Sequence, residues 1–172
     1  TDWDAVDETT VEMELRDGVE WHDGESFGPQ DVKFTVELFQ EYNATSQGPF
    51  YTPIDEVEIL SESGGGSVRF NLSSPDAPFL TQRIVRSVIL PEHRWSDVDS
   101  PSQHNPDPPI GTGPFKFVDW EPGTRFEVEK HESHWMWDDN VRNDLLGDEF
   151  FNPGDGIDGI VWANVGNVDA LI

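Results

Sequence analysis

Cysteine is absent from this 172-residue chain, which removes disulfide frameworks, thiol nucleophiles and thiolate metal sites from consideration. Positive charge is nearly as scarce. Ten basic residues stand against 35 acidic ones, giving a net charge of -25. Only three of the ten are lysines, Lys33, Lys116 and Lys130. A chain this negative repels phosphates, which argues against nucleic acid and anionic membrane as partners. Long apolar runs are missing too. None approaches the roughly 20 residues needed to span a bilayer, and the chain does not open on a signal peptide.

What is present is enough to fold. Leu, Ile, Val and Phe make up about a quarter of the chain, above the roughly 20% below which a charged chain stays disordered. Seven tryptophans and eleven phenylalanines also need burial. The acid surplus makes a compact state repel itself, and salt relieves this as the Debye length falls from roughly 8 Å at 0.15 M to roughly 3 Å at 1 M. Acid excess, scarce lysine and arginine as the preferred cation together resemble a haloarchaeal protein, whose stability is expected to rise steeply with molar salt. An acidic protein from a mesophile is the plain alternative.

Along the chain, Val11, Met13 and Leu15 alternate with Glu12, Glu14 and Arg16, the period of a half-buried strand. Gly28-Pro29 opens a helix with Pro29 at its first position, where a missing N–H does no harm. Val32, Val36 and Phe39 form one apolar line on it and Phe34, Leu38 and Tyr42 a second, so a wide arc should be buried. Residues 44–53 read as a loop. Strands are expected at 57–60 and 68–72, joined by a flexible glycine-rich tip at 61–66. A short helix is expected over 75–85, a buried strand over 87–90 and a helical turn over 91–95. The loop 96–109 is the best internal boundary, dividing the chain into 1–96 and 97–172. A second hairpin pairs 115–120 with 125–130 through a type II turn at Pro122-Gly123. Residues 138–156 read as an acidic loop, 157–163 as a strand and 167–172 as the opening of a helix.

Two stretches carry more than local structure: WHDGESFGPQDVKFTVELF (Trp21–Phe39) and IGTGPFKFVDWEPGTRFEVEKHESHW (Ile110–Trp135). In that order and at that separation they resemble a paired signature of the extracytoplasmic solute-binding proteins of ABC importers, family 5, the oligopeptide, dipeptide and nickel-binding type. The resemblance implies an α+β fold of mixed and antiparallel sheets with flanking helices. It would be a fragment of lobe I of a two-lobed (class II, cluster C) periplasmic-binding-protein fold. Residues 1–96 would be the smaller subdomain of that lobe and 97–172 part of its main sheet, with the second lobe absent. Such a piece alone is expected to show no measurable peptide affinity and to risk dimerising through exposed sheet edges.

The resemblance further implies capture rather than catalysis, no cofactor and no resident metal. The partners would be a peptide or other small solute and an ABC permease, at the extracellular face of the membrane and with a lipid anchor. Trp162, on the strand after the second signature, holds the place of an aromatic that lines the cleft in peptide-binding relatives, with Asn164 close by on the same face, and the segment around Arg86, before the strand ending at Pro91, approaches the ligand in some relatives. The bland alternative makes Trp162 plain core and Arg86 a solvated charge. Trp21, Asp23, Gly24, Gly111, Thr112, Gly113, Pro114, Trp120 and Gly123 read as scaffold, the glycines and proline making turns and the tryptophans filling core. Relatives bind nickel, oligosaccharides or opines with the same signatures. An adhesion or regulatory domain and an acidic extracellular hydrolase are the readings outside transport.

One departure stands out. Where relatives carry Arg-Asn-Pro before an aromatic and Trp, this chain reads Lys130-His131-Glu132-Ser133-His134-Trp135. His131 and His134 fall one residue short of the zincin pattern and sit at a strand end rather than on a helix. His22-Asp23 are adjacent, so they face apart and make a poor acid–base pair. Asp138-Asp139 and Asp155-Gly156-Ile157-Asp158-Gly159 lack EF-hand spacing. With 35 acids, carboxylate pairs at glycosidase spacing arise by chance and carry no information.

Overall fold

The computed structural model describes residues 2–42, 47–146 and 156–164. Its backbone forms two compact units, one of Thr1–Val19 with Ser26–His104 and the other of Glu20–Glu25 with Asn105–Ile172. The expected helix over 167–172 and Asp155 of the Asp-Gly stretch lie outside the described residues.

The first unit is an antiparallel sheet of order β1-β2-β4-β3, built from Trp3–Ala5, Thr10–Glu14, Ile54–Ser61 (β3) and Ser67–Leu72 (β4). Alternation fixes its faces. Val11 pairs with Phe70, and Met13 with Val68, so their side chains share the inner face. Glu12, Arg69 and Glu58 align in a row on the outer face. There Arg69 donates to Glu12 at 2.6 Å and to Glu58 at 3.2 Å.

Helix α1 (Pro29–Tyr42) covers the inner face with Val32 and Val36 fully buried. The core they enter contains Val11, Tyr51, Ile54, Val57, Val68, Phe70, Leu72 and Phe79. Its buried arc is narrower than expected. Phe39 stacks on Tyr51 at 5.0 Å, but Phe34 and Leu38 are half-buried and Tyr42 is exposed.

Local readings need correction in four places. Within 44–53 the described residues contain a short helix, α2 (Gly48–Tyr51), which brings Tyr51 into the core. The 61–66 tip is packed back on the chain rather than free: Gly65 and Gly66 have φ of 85° and 89°, and Leu15 donates its N–H to the Gly66 carbonyl at 2.9 Å. Residues 75–85 hold a π-helical turn at Phe79–Arg83 and a 3-10 turn at Ile84–Arg86 in place of one regular helix.

The fourth is 87–90, which joins no sheet among the described strands. Helical side chains satisfy its backbone instead. The Leu90 N–H donates to Thr35 Oγ1 at 2.9 Å, and the Tyr51 hydroxyl donates to the Val88 carbonyl. Burial pushes the Tyr51 hydroxyl up to about 12, so it stays a donor. Asp31 closes the region by accepting from Gly28 N–H at 3.0 Å and from Glu92 N–H at 2.9 Å, capping α1 and the one-turn helix α3 (Glu92–Trp95) together.

The second unit carries a three-stranded antiparallel sheet, β5 (Phe115–Glu121), β6 (Arg125–Lys130) and β7 (Gly159–Ala163), with β6 central. Gly123, at φ 77°, and the Thr124 N–H to Glu121 carbonyl bond of 2.9 Å make the expected tight turn. The acidic segment from 138 is helical at its start rather than a loop, forming α4 (Asp139–Leu146). Asp138 explains this, since its carboxylate accepts from Asn140 N–H at 2.8 Å and caps the helix. Among the described residues no helix is long and apolar enough to cross a membrane.

Candidate functional site

The aromatic face of the second sheet depends on one irregular residue. Along β5, Phe115 and Phe117 point one way, and strict alternation would send Asp119 after them. A bulge at Val118 resets the count, so Trp120 follows Phe117 instead. Trp120 then pairs with Phe126, and Phe126 with Trp162, in a row across all three strands. Behind it run Phe117, Val128 and Ile160.

Burial falls off along the face. Val128 is buried, whereas Trp120, Phe126 and Trp162 are 61%, 37% and 53% exposed. Their rings stay in contact: Phe117 lies 5.9 Å and Trp162 5.4 Å from Phe126. The opposite face is charged, with Arg125 bonded to Asp119 at 2.9 Å and paired with Glu127 at 3.0 Å.

Two hollows adjoin the aromatic row. A cleft of about 700 Å³ lies between Phe117, Trp120 and Phe126 and the segment carrying Asn105, Asp107 and Gly111. A shallower one at the hairpin end is lined by Trp120, Phe126, Trp162 and Asn164. Asn164 is held there by its backbone N–H to the Thr124 carbonyl at 2.8 Å and its side-chain Nδ2 to the Gly123 carbonyl at 2.9 Å. Trp162 and Asn164 therefore share a surface. Arg86, exposed at the end of its 3-10 turn, belongs to the other unit. Of the signature tryptophans, Trp21 is 2% exposed and fills core as expected, while Trp120 does not. Sequence reading missed Trp120 and Phe126 as surface residues because nothing in the local pattern announces the bulge.

The histidines also come together. His22 and His131, far apart in the chain, pack edge to face with ring centres 5.1 Å apart, and His134 lies 6.2 Å from His131. His131 and His134 are 2% and 7% exposed. Burial, with His131 beside it, pushes the His134 ring down to about 4, and burial lowers His22 as well. Both are neutral at pH 7. Among the described residues no group of three His, Cys, Asp or Glu is arranged to hold a metal ion. His22 faces backbone groups of the 110–114 loop rather than Asp23. Asp138 and Asp139 serve the cap of α4 and Arg142.

Comparison with known proteins gives this geometry a context. Residues 1–167 match the family described as bacterial extracellular solute-binding proteins, family 5 Middle. The oligopeptide-binding protein AppA of Bacillus subtilis is 30% identical over 130 residues, which are 72% of this chain and 23% of AppA. The structure of NikZ from Campylobacter jejuni, solved with Ni(L-His), is 34% identical and superposes with a TM-score of 0.64 over 78% of this chain and 27% of its own. The periplasmic oligopeptide-binding protein of Thermotoga maritima matches 99% of this chain and 29% of its own with a TM-score of 0.78, at 24% identity. The α+β architecture is thus that of part of a two-lobed binding protein. The chain spans about a quarter of the length of these relatives.

Proposed function

Because the chain belongs to the bacterial extracellular solute-binding proteins, family 5, we propose that it forms part of the capture component of an ABC importer for peptides. The mechanism is enclosure followed by delivery to a membrane permease, with no bond made or broken. The protein works outside the membrane and is held to it by a lipid anchor. Residues 1–96 and 97–172 correspond to the smaller subdomain and the main-sheet subdomain of one lobe.

The observation that carries the reading is the exposed aromatic row ending at Trp162. Apolar side chains of a peptide stack on such a row, and the neighbouring backbone turn offers polar groups. Trp162 supplies ring contact and Asn164 holds the strand end against the hairpin, while Arg86 is a solute-contact candidate on the family resemblance alone. The acid surplus and scarce lysine support a haloarchaeal source and a fold that gains stability with salt.

Calorimetry on the full-length protein with short peptides tests the assignment. Trp162→Ala is expected to weaken binding at least tenfold, about the loss typical of a buried tryptophan anchor, without changing the melting temperature. An unchanged Kd removes Trp162 from the site. Full-length protein that ignores peptides but binds nickel, an oligosaccharide or an opine redirects the solute within the family. Hydrolysis abolished by a single carboxylate replacement overturns transport altogether.

A further inference from the structure

The cleft of about 700 Å³ beside the aromatic row lies wholly within the second unit, and its two walls differ in chemistry. One wall is made of rings, Phe115, Phe117, Trp120 and Phe126, brought to one face by the bulge at Val118. These rings form an angled trough rather than a flat platform, with Phe117 and Phe126 inclined at 52° to each other. Such a trough suits a narrow side chain. The facing segment supplies two polar side chains, Asn105 and Asp107. Both are exposed, and among the described residues neither side chain bonds or pairs with another.

The other charged or titratable groups at the cleft are already committed. Asp119 accepts from Arg125 at 2.9 Å, and Arg125 also pairs with Glu127 at 3.0 Å. His22 uses both ring nitrogens on the neighbouring backbone, Nε2 on the Gly113 carbonyl at 2.9 Å and Nδ1 accepting from the Gly111 N–H at 3.2 Å. Burial lowers its proton affinity, so this ring brings no positive charge at pH 7. Lys116 falls between Phe115 and Phe117 on β5 and so alternates to the other face. Among the described residues no Lys or Arg lines the cleft. Asp107 is thus a free carboxylate opposite an aromatic wall, with no cation of the protein's own to answer it.

We propose that this cleft is a specificity pocket for an arginine side chain of the captured peptide, with Asp107 as its counter-ion and Trp120 and Phe126 as its stacking wall. Resting on the peptide-capture reading, this narrows the solute to arginine-containing peptides. A guanidinium suits both walls, since its flat face stacks on aromatic rings and its fork of N–H groups donates to a carboxylate in pairs. Asn105 offers a side-chain carbonyl to the N–H groups that remain. An ammonium is a strongly hydrated point charge that neither stacks nor forks, so lysine gains less. An acidic side chain would set a second carboxylate against Asp107 within a chain of net charge -25. That overall charge favours any cation, but at 1 M salt the Debye length is roughly 3 Å. Distant carboxylates are then screened, and a contact pair at Asp107 is not.

Calorimetry on the full-length protein in 1 M KCl tests the pocket with alanine pentapeptides that differ only at the central residue. That residue is arginine, its neutral isostere citrulline, lysine or glutamate. Arginine is expected to bind at least tenfold tighter than citrulline, with lysine between them and glutamate weakest. Asp107→Asn should cut the preference for arginine over citrulline to less than twofold. The variant keeps its fold, because the Asp107 carboxylate is exposed and holds no internal bond. Asp4→Asn, which removes an equally exposed carboxylate from the first unit, should leave the tenfold preference intact. Arginine and citrulline peptides that bind alike overturn the pocket and leave peptide capture standing. A preference that survives Asp107→Asn, or falls as far in Asp4→Asn, belongs to the overall charge and overturns it too. Lysine level with arginine overturns the stacked guanidinium. If none of the four peptides binds, peptide capture fails and the arginine pocket with it.

Discussion

In the first unit ten apolar side chains from the sheet, α1, α2 and the Phe79 turn form the buried cluster, with Thr35 and Asp31 the buried polar residues beside it. In the second, the most deeply buried side chains include His131, His134 and Arg142 beside Trp21 and Val128, while the best aromatic surface faces outward. The contrast separates two ways of fixing a chain. Burial of apolar area is non-directional and tolerates small shifts. Hydrogen bonds from buried imidazoles are directional and depend on protonation, so they hold only within a pH range.

The largest effect is expected where burial does the holding. Phe70, on the central strand β4 and edge to face with Phe79 at 5.6 Å, should lose about 3–5 kcal/mol on Phe70→Ala. Urea unfolding followed by amide exchange over 54–72 measures it. A loss below about 1 kcal/mol would mean that the first unit does not rest on its apolar cluster.

The next effect belongs to the second unit. The unfolded chain protonates His134 near its ordinary 6.5, the folded form only near 4, because burial opposes the charge. Between these values the unfolded state binds more protons, so stability falls as pH drops through that window and is fully present above it. The loss is at most about 3 kcal/mol by linkage. Comparing acid unfolding of the parent with His134→Asn isolates it from the carboxylates, and identical curves would deny the histidine any part.

A smaller effect tests the first unit's tip. A Cβ on Gly65 would lie 2.6 Å from the backbone of Arg16 and Asp17, at a φ of 85°. Gly65→Ala should therefore destabilise by about 1–3 kcal/mol, read from the same urea midpoints. A neutral outcome would restore the flexible tip that the glycine run suggests.

How much of this was legible follows from the same contrast. The period-2 run Val11, Met13, Leu15 and the Gly28-Pro29 opening place β2 and α1 because core burial writes a repeat into the chain. Pro122-Gly123 places the second hairpin because the turn needs a positive φ at its third residue. Residues 87–90 look like a strand since they are apolar and end at proline. Yet Thr35 and Tyr51 satisfy that backbone from 37 or more residues away. No local pattern carries such a partnership. The histidines are the same case. His131 and His134 are conspicuous by spacing, but His22 joins them only through the fold. In the candidate site, Trp162 was singled out on resemblance alone, and its neighbours Trp120 and Phe126 were hidden by the bulge.

That bulge decides which side of the hairpin carries its tryptophan. Were Val118 to pair with Glu127 in place of Asp119, the ladder would still close, but Asp119 would stand beside Phe126 and Trp120 would turn toward the side that carries Arg125 and Glu127. Deleting Val118 would instead leave a regular ladder with Trp120 still opposite Phe126. The aromatic surface thus tolerates loss of the surplus residue but not its absorption into the strand.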